Sequence, residues 1–205
     1  MARIPLMLDL NEKNIVIVGG GVVAQRRVYS LVESGAFITV ISPEVSEGIY
    51  IMWKQGLLSW MKKYFEPEDI HDAFLVIAAT NHTEVNQSIK QVVPADTLFN
   101  MVEDVEQGNI EFPGYFKRGK LSISVSTGGS SPILTSKIKR DLEKVYDWRY
   151  EEYVDFLYEC RKLIKISSID RNEKKELLNN LLSDEFLNED KQEKALEYLK
   201  RRLER

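Results

Sequence analysis

The residues best suited to chemistry begin at Gly19-Gly20-Gly21, between the β-branched run Ile15-Val16-Ile17-Val18 and a helical pattern carrying Val23, Val28, Leu31 and Val32. Gly19, Gly21 and Ala24 fill the spacing G-x-G-x-x-G/A at a strand-to-helix junction. Gly19 permits a sharp turn, Gly21 lets the backbone approach a diphosphate, and Ala24 lets the helix lie close to the strand. The N–H groups of Gly21, Val22 and Val23, at the positive end of that helix, then hold the anion. Three successive glycines destabilise a fold unless close approach is needed, so the pattern points to a dinucleotide.

Three further clusters accompany it. Ser42-Pro43-Glu44 follows the second strand, where an Asp or Glu normally takes the ribose hydroxyls. Ser42 supplies one hydrogen bond and Glu44 reaches if the turn is tight. No Arg or Lys lies between Arg27 and Lys54 to hold a 2′-phosphate, so NAD is expected over NADP. Thr80-Asn81 follows another strand and is placed to touch the cofactor, and the adjoining His82 is placed to touch cofactor or substrate. Asn100-Met101-Val102-Glu103-Asp104 puts two adjacent carboxylates just past a strand end, where one could take up or orient a proton lost during a hydride transfer.

A basic segment forms a separate cluster. Six cations (Lys117, Arg118, Lys120, Lys137, Lys139 and Arg140) and no acid lie between positions 117 and 140. With the hydroxyl-rich loop Ser126-Thr127-Gly128-Gly129-Ser130-Ser131 at a helix start, they suit a ligand bearing several carboxylates. His71 and His82 are the only histidines and Cys160 the only cysteine, so no spaced His/Cys metal site is expected and a disulfide within the chain is excluded.

The elements that must position these residues follow from periodicity. Strands are expected at 14–18, 37–41, 57–61, 74–79 and 97–102, and helices at 22–34, 44–55 and 83–93. Such alternation implies a parallel Rossmann-type sheet with ligands beyond the carboxyl ends of its strands. Leu121 to Ser126 alternates strictly and reads as a strand with one apolar and one hydroxylated face. Ser131 and Pro132 read as the cap and first residue of a helix with Ile133, Leu134, Ile138 and Leu142 on one side. With too few apolar residues nearby for its own core, this strand-helix segment is expected to pair with a second chain. From Val145 onward the pattern is helical. An aromatic-rich stripe (Trp148, Tyr150, Tyr153, Phe156, Leu157, Leu163) runs up to Ile166, a break with a cap lies at 167–170, and helices follow at 174–182 and about 185–203. The expected division is a dinucleotide-binding domain over 1–113, a dimerisation segment over 114–145 and a helical region over 146–205.

Composition bounds the alternatives. With 205 residues, 43% hydrophobic, 29% charged and a net charge of −4, the chain reads as an ordinary soluble protein without the field that nucleic acid or a membrane surface would require. No leader is expected ahead of Met1-Ala2-Arg3-Ile4-Pro5, and a cytoplasmic location is the expectation. The fifteen acids and thirteen bases of residues 145–205 are interleaved, as on a solvated helical face.

Val18-Gly19-Gly20-Gly21-Val22-Val23-Ala24 with Arg26-Arg27, Ala78-Ala79-Thr80-Asn81 with Val85-Asn86, Asn100 to Asp104, and Ser124-Val125-Ser126-Thr127-Gly128-Gly129-Ser130-Ser131-Pro132 occur in this order. Together they resemble the precorrin-2 dehydrogenase family, the N-terminal module of siroheme synthases, over roughly residues 1–145. The resemblance implies NAD-dependent oxidation of precorrin-2 to sirohydrochlorin in an intertwined homodimer, and in some relatives ferrous iron insertion as well. The family's key aspartate falls on Glu103 by strict counting from Asn100 and on Asp104 by chemical type; Asp104 is taken as the catalytic acid. Asn100, Ser126, Thr127 and Gly128 are the implied substrate contacts, with Lys117, Arg118, Lys120 and Lys137 answering the substrate's carboxylates. Two other readings stay open: a dehydrogenase that is also a ferrochelatase, and an NAD-binding redox sensor without turnover.

Overall fold

The computed structural model describes residues 3–203. They form two compact units, one ending at Phe112 and the other beginning at Pro113.

The first unit is built on five parallel strands, β1 (Asn14–Val18), β2 (Phe37–Ile41), β3 (Ser59–Met61), β4 (Leu75–Ala78) and β5 (Leu98–Met101). Their spatial order is β3-β2-β1-β4-β5. Helices α1 (Val22–Leu31), α2 (Glu47–Lys54) and α3 (Thr83–Val92) alternate with them. The central strands β1 and β4 are near-continuous buried apolar runs because both of their faces are covered. Ile15, Ile17, Val40 and Ile77 pack on one face with Ala24, Val28 and Ile49, while Val16, Val18 and Val76 pack on the other with Ile70 and Ile89. Full burial of each such side chain contributes about 1.5–3 kcal/mol. Register aligns Val18 with both Ile41 and Ala78, and Ala78 with Met101, so four strands end level and deliver their loops to one edge.

Two helix boundaries in this unit lie three residues from the sequence pattern. The helix expected over 22–34 ends at Leu31 and closes as a 3-10 turn into Gly35, whose φ of 76° stops it. The helix expected from position 44 begins at Glu47, because the Ser46 N–H is taken by the Gly20 carbonyl (2.7 Å) and holds 42–46 as an extended link.

In the second unit, β6 (Gly114–Arg118) and β7 (Leu121–Val125) form an antiparallel hairpin through Gly119, at φ +53°. The strand expected at 121–126 thus has a partner within its own chain, β6, which pairs Tyr115 with Ser124 and Lys117 with Ser122 on the hydroxylated face. Helix α4 (Pro132–Val145) packs on the hairpin, with Thr135 and Lys139 close to Gly114. Ser131 caps it by accepting from the Leu134 N–H (3.2 Å), and Pro132 opens it. Helices α5 (Arg149–Ile166), α6 (Arg171–Asn180) and α7 (Glu189–Leu203) share a core of Tyr153, Phe156, Cys160, Ile164, Leu181 and Leu199. Trp148 and Ile166, at the two ends of the aromatic-rich stretch, are exposed. The stripe follows 153, 156, 160 and 164, the i, i+3, i+4 spacing of one helix face. Asp170 caps α6 through the Asn172 and Glu173 N–H groups.

Candidate functional site

The three glycines do three different things. Gly19 turns at φ +122°, and a Cβ there would lie 2.3 Å from the Ala79 carbonyl oxygen, so the chain leaving β1 presses against the end of β4. A Cβ on Gly20 would lie 1.9 Å from the Glu44 carbonyl oxygen and 2.8 Å from Ser42 Oγ. A Cβ on Gly21 would meet nothing within 4 Å. The first two glycines are therefore demanded by the protein itself, whereas the space at Gly21 is left open. Gly21 is also the N-cap of α1 and offers no side-chain cap, and no acid occupies the first turn. The leading N–H groups of the helix, at exposed Val22 and Val23, thus remain presented for an anion.

A cavity of about 430 Å³ opens at this junction. Gly19, Gly21, Ser42, Pro43, Glu44, Thr80 and Asn81, all singled out from sequence, line it, together with His82. It sits where strand order reverses between β1 and β4, the place at which open α/β sheets bind ligands.

Sequence reasoning missed another part of the wall: Lys63, Tyr64 and Phe65. They follow β3, and the Met61 carbonyl accepts from both the Ser42 N–H (3.2 Å) and the Lys63 N–H (2.9 Å), tying that loop to the ribose end. The premise that no cation is available there is corrected: Lys63 is brought in by the fold from outside the interval 28–53. Its ammonium bonds to Asp69 (2.8 Å) and Glu66 (2.5 Å), and these bonds, Asp69 first, raise its pKa.

The loop after β4 is fixed by a buried amide. Asn86 Oδ1 accepts from Thr80 N (3.3 Å) and Thr80 Oγ1 (2.8 Å), and its Nδ2 donates to the Thr80 carbonyl (3.1 Å) and to Glu103 (3.2 Å). Thr83 donates to the other oxygen of Glu103 (2.8 Å). One of the two expected acids is therefore joined through Asn86 to the cavity wall.

Asp104 has a different environment. It caps the 3-10 turn Val105–Gln107, accepting from the Glu106 N–H (3.0 Å) and from Gln107 Nε2 (2.9 Å). The Gln107 bond, then the Glu106 bond, hold its carboxyl below the usual aspartate range. Arg3 clamps the same turn through the Val105 (2.7 Å) and Gly108 (3.0 Å) carbonyls. Asn100 is 1% exposed, its Nδ2 donates to the Ile110 carbonyl (3.2 Å), and its Oδ1 has no hydrogen-bond partner among the described residues.

In the second unit, Ser126 Oγ accepts from the Gly128 N–H (2.9 Å) and Thr127 Oγ1 accepts from the Ser131 N–H (3.1 Å), which shapes the loop before α4. The stretch of unopposed cations is corrected in part. Lys120 pairs with Asp155 of α5, and Lys139 pairs with Glu143 (3.0 Å), both acids lying outside the acid-free interval. Arg118 lies over the Phe116 ring, 5.2 Å from its centroid. Lys117 and Lys137 are exposed and, among the described residues, enter no ion pair. Cys160 is buried, which pushes its thiol up to about 11 and makes it unreactive.

Three family models match along the chain in order: "Putative NAD(P)-binding" over residues 6–114, "Sirohaem biosynthesis protein central" over 118–144 and "SirC C-terminal domain" over 150–195. The precorrin-2 dehydrogenase of Priestia megaterium is 41% identical over 181 residues, which cover 88% of this chain and 90% of that protein. The chain belongs to the precorrin-2 dehydrogenase family. The precorrin-2 dehydrogenase of Bacillus subtilis is 38% identical over 159 residues, 78% of this chain and 98% of the relative. A solved structure described as SirC, precorrin-2 dehydrogenase, superposes with a TM-score of 0.84 at 38% identity, over 97% of this chain and all of that one. For a precorrin-2 dehydrogenase, the cavity at Gly19–Gly21 fits a nicotinamide dinucleotide: an uncapped helix start, an open glycine and a polar wall at the ribose end. Among the described residues, no helix is long and apolar enough to cross a membrane.

Proposed function

We propose that this chain oxidises precorrin-2 to sirohydrochlorin with NAD as oxidant, working as a homodimer. The observation that carries the reading is the open side of Gly21 on an uncapped helix start, within a chain 41% identical to a precorrin-2 dehydrogenase. The nicotinamide, when bound, accepts the hydride. Gly19, Gly21, Val22 and Val23 hold the diphosphate, Ser42, Pro43 and Glu44 take the ribose end, and Thr80 and Asn81 line the wall beyond β4. NAD rather than NADP is supported by Glu44 and by the engagement of Lys63 with two carboxylates.

Removing two electrons as hydride leaves one proton to be lost, and Asp104 receives or guides it. An ionised carboxylate is the form that can accept a proton, and the Gln107 and Glu106 bonds stabilise that form. Glu103 is the second reading, favoured by its link through Asn86 to Thr80 in the cavity wall. Ser126, Thr127 and Gly128 position the substrate, while Lys117 and Lys137, with Arg118 and Lys120, answer its carboxylates. Catalysis is then mainly positioning of substrate and cofactor. The homodimer is supported by α4, a helix of 14 residues with none buried, which leaves Ile133, Leu134 and Ile138 exposed.

The test is anaerobic NADH formation from purified protein, precorrin-2 and NAD. NADH rising together with the sirohydrochlorin spectrum supports the reading, and tight NAD binding without turnover overturns it. Asp104→Asn lowering kcat at least tenfold while Glu103→Gln retains it assigns the proton to Asp104; the reverse pattern assigns it to Glu103.

A further inference from the structure

The Lys63 loop carries a consequence for cofactor choice, resting on the dinucleotide reading of the cavity. Lys63 is the cation that the fold brings to the wall shared by Ser42, Pro43 and Glu44, and its backbone is fixed there by the Met61 carbonyl it shares with Ser42. A lysine at this place is the natural partner for a phosphate on the adenosine ribose. Two carboxylates occupy it instead. Asp69 is nearly buried, and its Oδ1 meets the Lys63 ammonium at 2.8 Å while its Oδ2 accepts from the Glu66 N–H at 2.9 Å. Glu66 is exposed and meets the same ammonium at 2.5 Å.

We propose that Glu66 and Asp69 form a selectivity filter against NADP, holding Lys63 back so that the wall presents more negative than positive charge to the ribose 2′ position. Glu44 and Lys63 line the cavity, and Glu66 and Asp69 answer the lysine's charge from the adjoining turn, an arrangement that a ribose hydroxyl tolerates and a 2′-phosphate does not. The turn keeps the pair in place. Glu66 is the N-cap of the 3-10 segment Pro67–Ile70 and Asp69 is its third residue, next to the core residue Ile70, so the turn sets both acids beside the lysine. The filter lies outside the residues through which the glycine motif is usually read, since it combines the end of β3 with the turn after it.

The experiment measures NAD and NADP dissociation constants for wild type, Glu66→Gln and the Glu66→Gln/Lys63→Met double variant, with thermal melts to verify folding. Glu66→Gln preserves an oxygen for the turn while removing its charge. We expect the ratio Kd(NADP)/Kd(NAD) to fall about tenfold in Glu66→Gln and to return to the wild-type ratio or above it when Lys63 is also replaced. Should Glu66→Gln fold poorly, Asp69→Asn supplies the same test, because its amide oxygen can still accept the Glu66 N–H. An unchanged ratio in a folded single variant, or a fall that persists without Lys63, overturns the filter. If wild type binds neither dinucleotide, the cofactor reading of the cavity fails and the filter with it.

Discussion

A methyl group on Gly20 would sit 1.9 Å from a backbone carbonyl, whereas one on Gly21 would sit in open space. This contrast separates a fold requirement from a ligand requirement within two adjacent residues. Gly20→Ala must push the 42–46 link away, and a loss of about 1–3 kcal/mol in chemical denaturation is expected. Gly21→Ala keeps an allowed backbone (φ −81°) and should lose no more than about 1 kcal/mol as a poorer N-cap, yet weaken NAD binding at least tenfold by titration. Equal destabilisation by the two, or full NAD affinity in Gly21→Ala, would contradict the assignment. Asp104 provides a pH test on the same scale. Its folded pKa is depressed, so its stabilising bonds are present at neutral pH and are lost as pH falls through the folded value, below the ordinary aspartate range. The melting-temperature difference between wild type and Asp104→Asn should therefore shrink on acidification below about pH 4. A difference that stays constant through that range would mean the carboxylate charge does not matter to the turn.

At the scale of elements, the loop after β4 owes its shape to α3 as much as to its own residues. Asn86, one turn into α3 and 1% exposed, holds Thr80 by three hydrogen bonds and reaches Glu103 across to the end of β5. Asn86→Ala should cost about 1–3 kcal/mol by leaving buried groups unpaired, and should raise the KM for NAD along with it. A normal KM in the folded variant would show that the Thr80 loop holds its place without α3. What sequence could reveal follows the same logic of locality. β1, β2 and α1 were legible because a β-branched run and glycine punctuation act within a few residues. Lys63–Phe65 was not, since its membership of the cavity depends on β3 pairing beside β2, a contact between distant parts of the chain. β6 was overlooked because Tyr115, Phe116, Lys117 and Arg118 are half polar and close to Pro113, yet Gly119 is the turn residue that could have revealed the hairpin. The acid-free interval 117–140 misled for a related reason: Asp155 reaches Lys120 from α5, 35 positions further on.

At the scale of the whole molecule, α4 stands out as a helix whose apolar residues lack a complete set of neighbours among the described residues. Its Gly114-facing side packs on the hairpin, but Ile133 is 85% exposed, Val145 61%, Leu134 46% and Ile138 36%. Apolar positions 134, 138, 142 and 145 repeat at helical spacing, so they form one stripe rather than scattered contacts. Covering such a stripe with its own copy counts each residue twice, because a two-fold interface presents the same patch from both sides. Leu134 and Ile138 have less than half of their surface left to bury, so each contributes less than the full-burial value of about 1.5–3 kcal/mol, and the paired stripe works against the cost of association. None of these residues belongs to the cores inside either unit, so replacing them should disturb assembly more than folding. Leu134→Asp/Ile138→Asp is expected to sediment at half the wild-type mass while keeping its helical circular dichroism. A monomeric wild type overturns the homodimer itself, and a double variant that retains the wild-type mass shows that the stripe is not the interface.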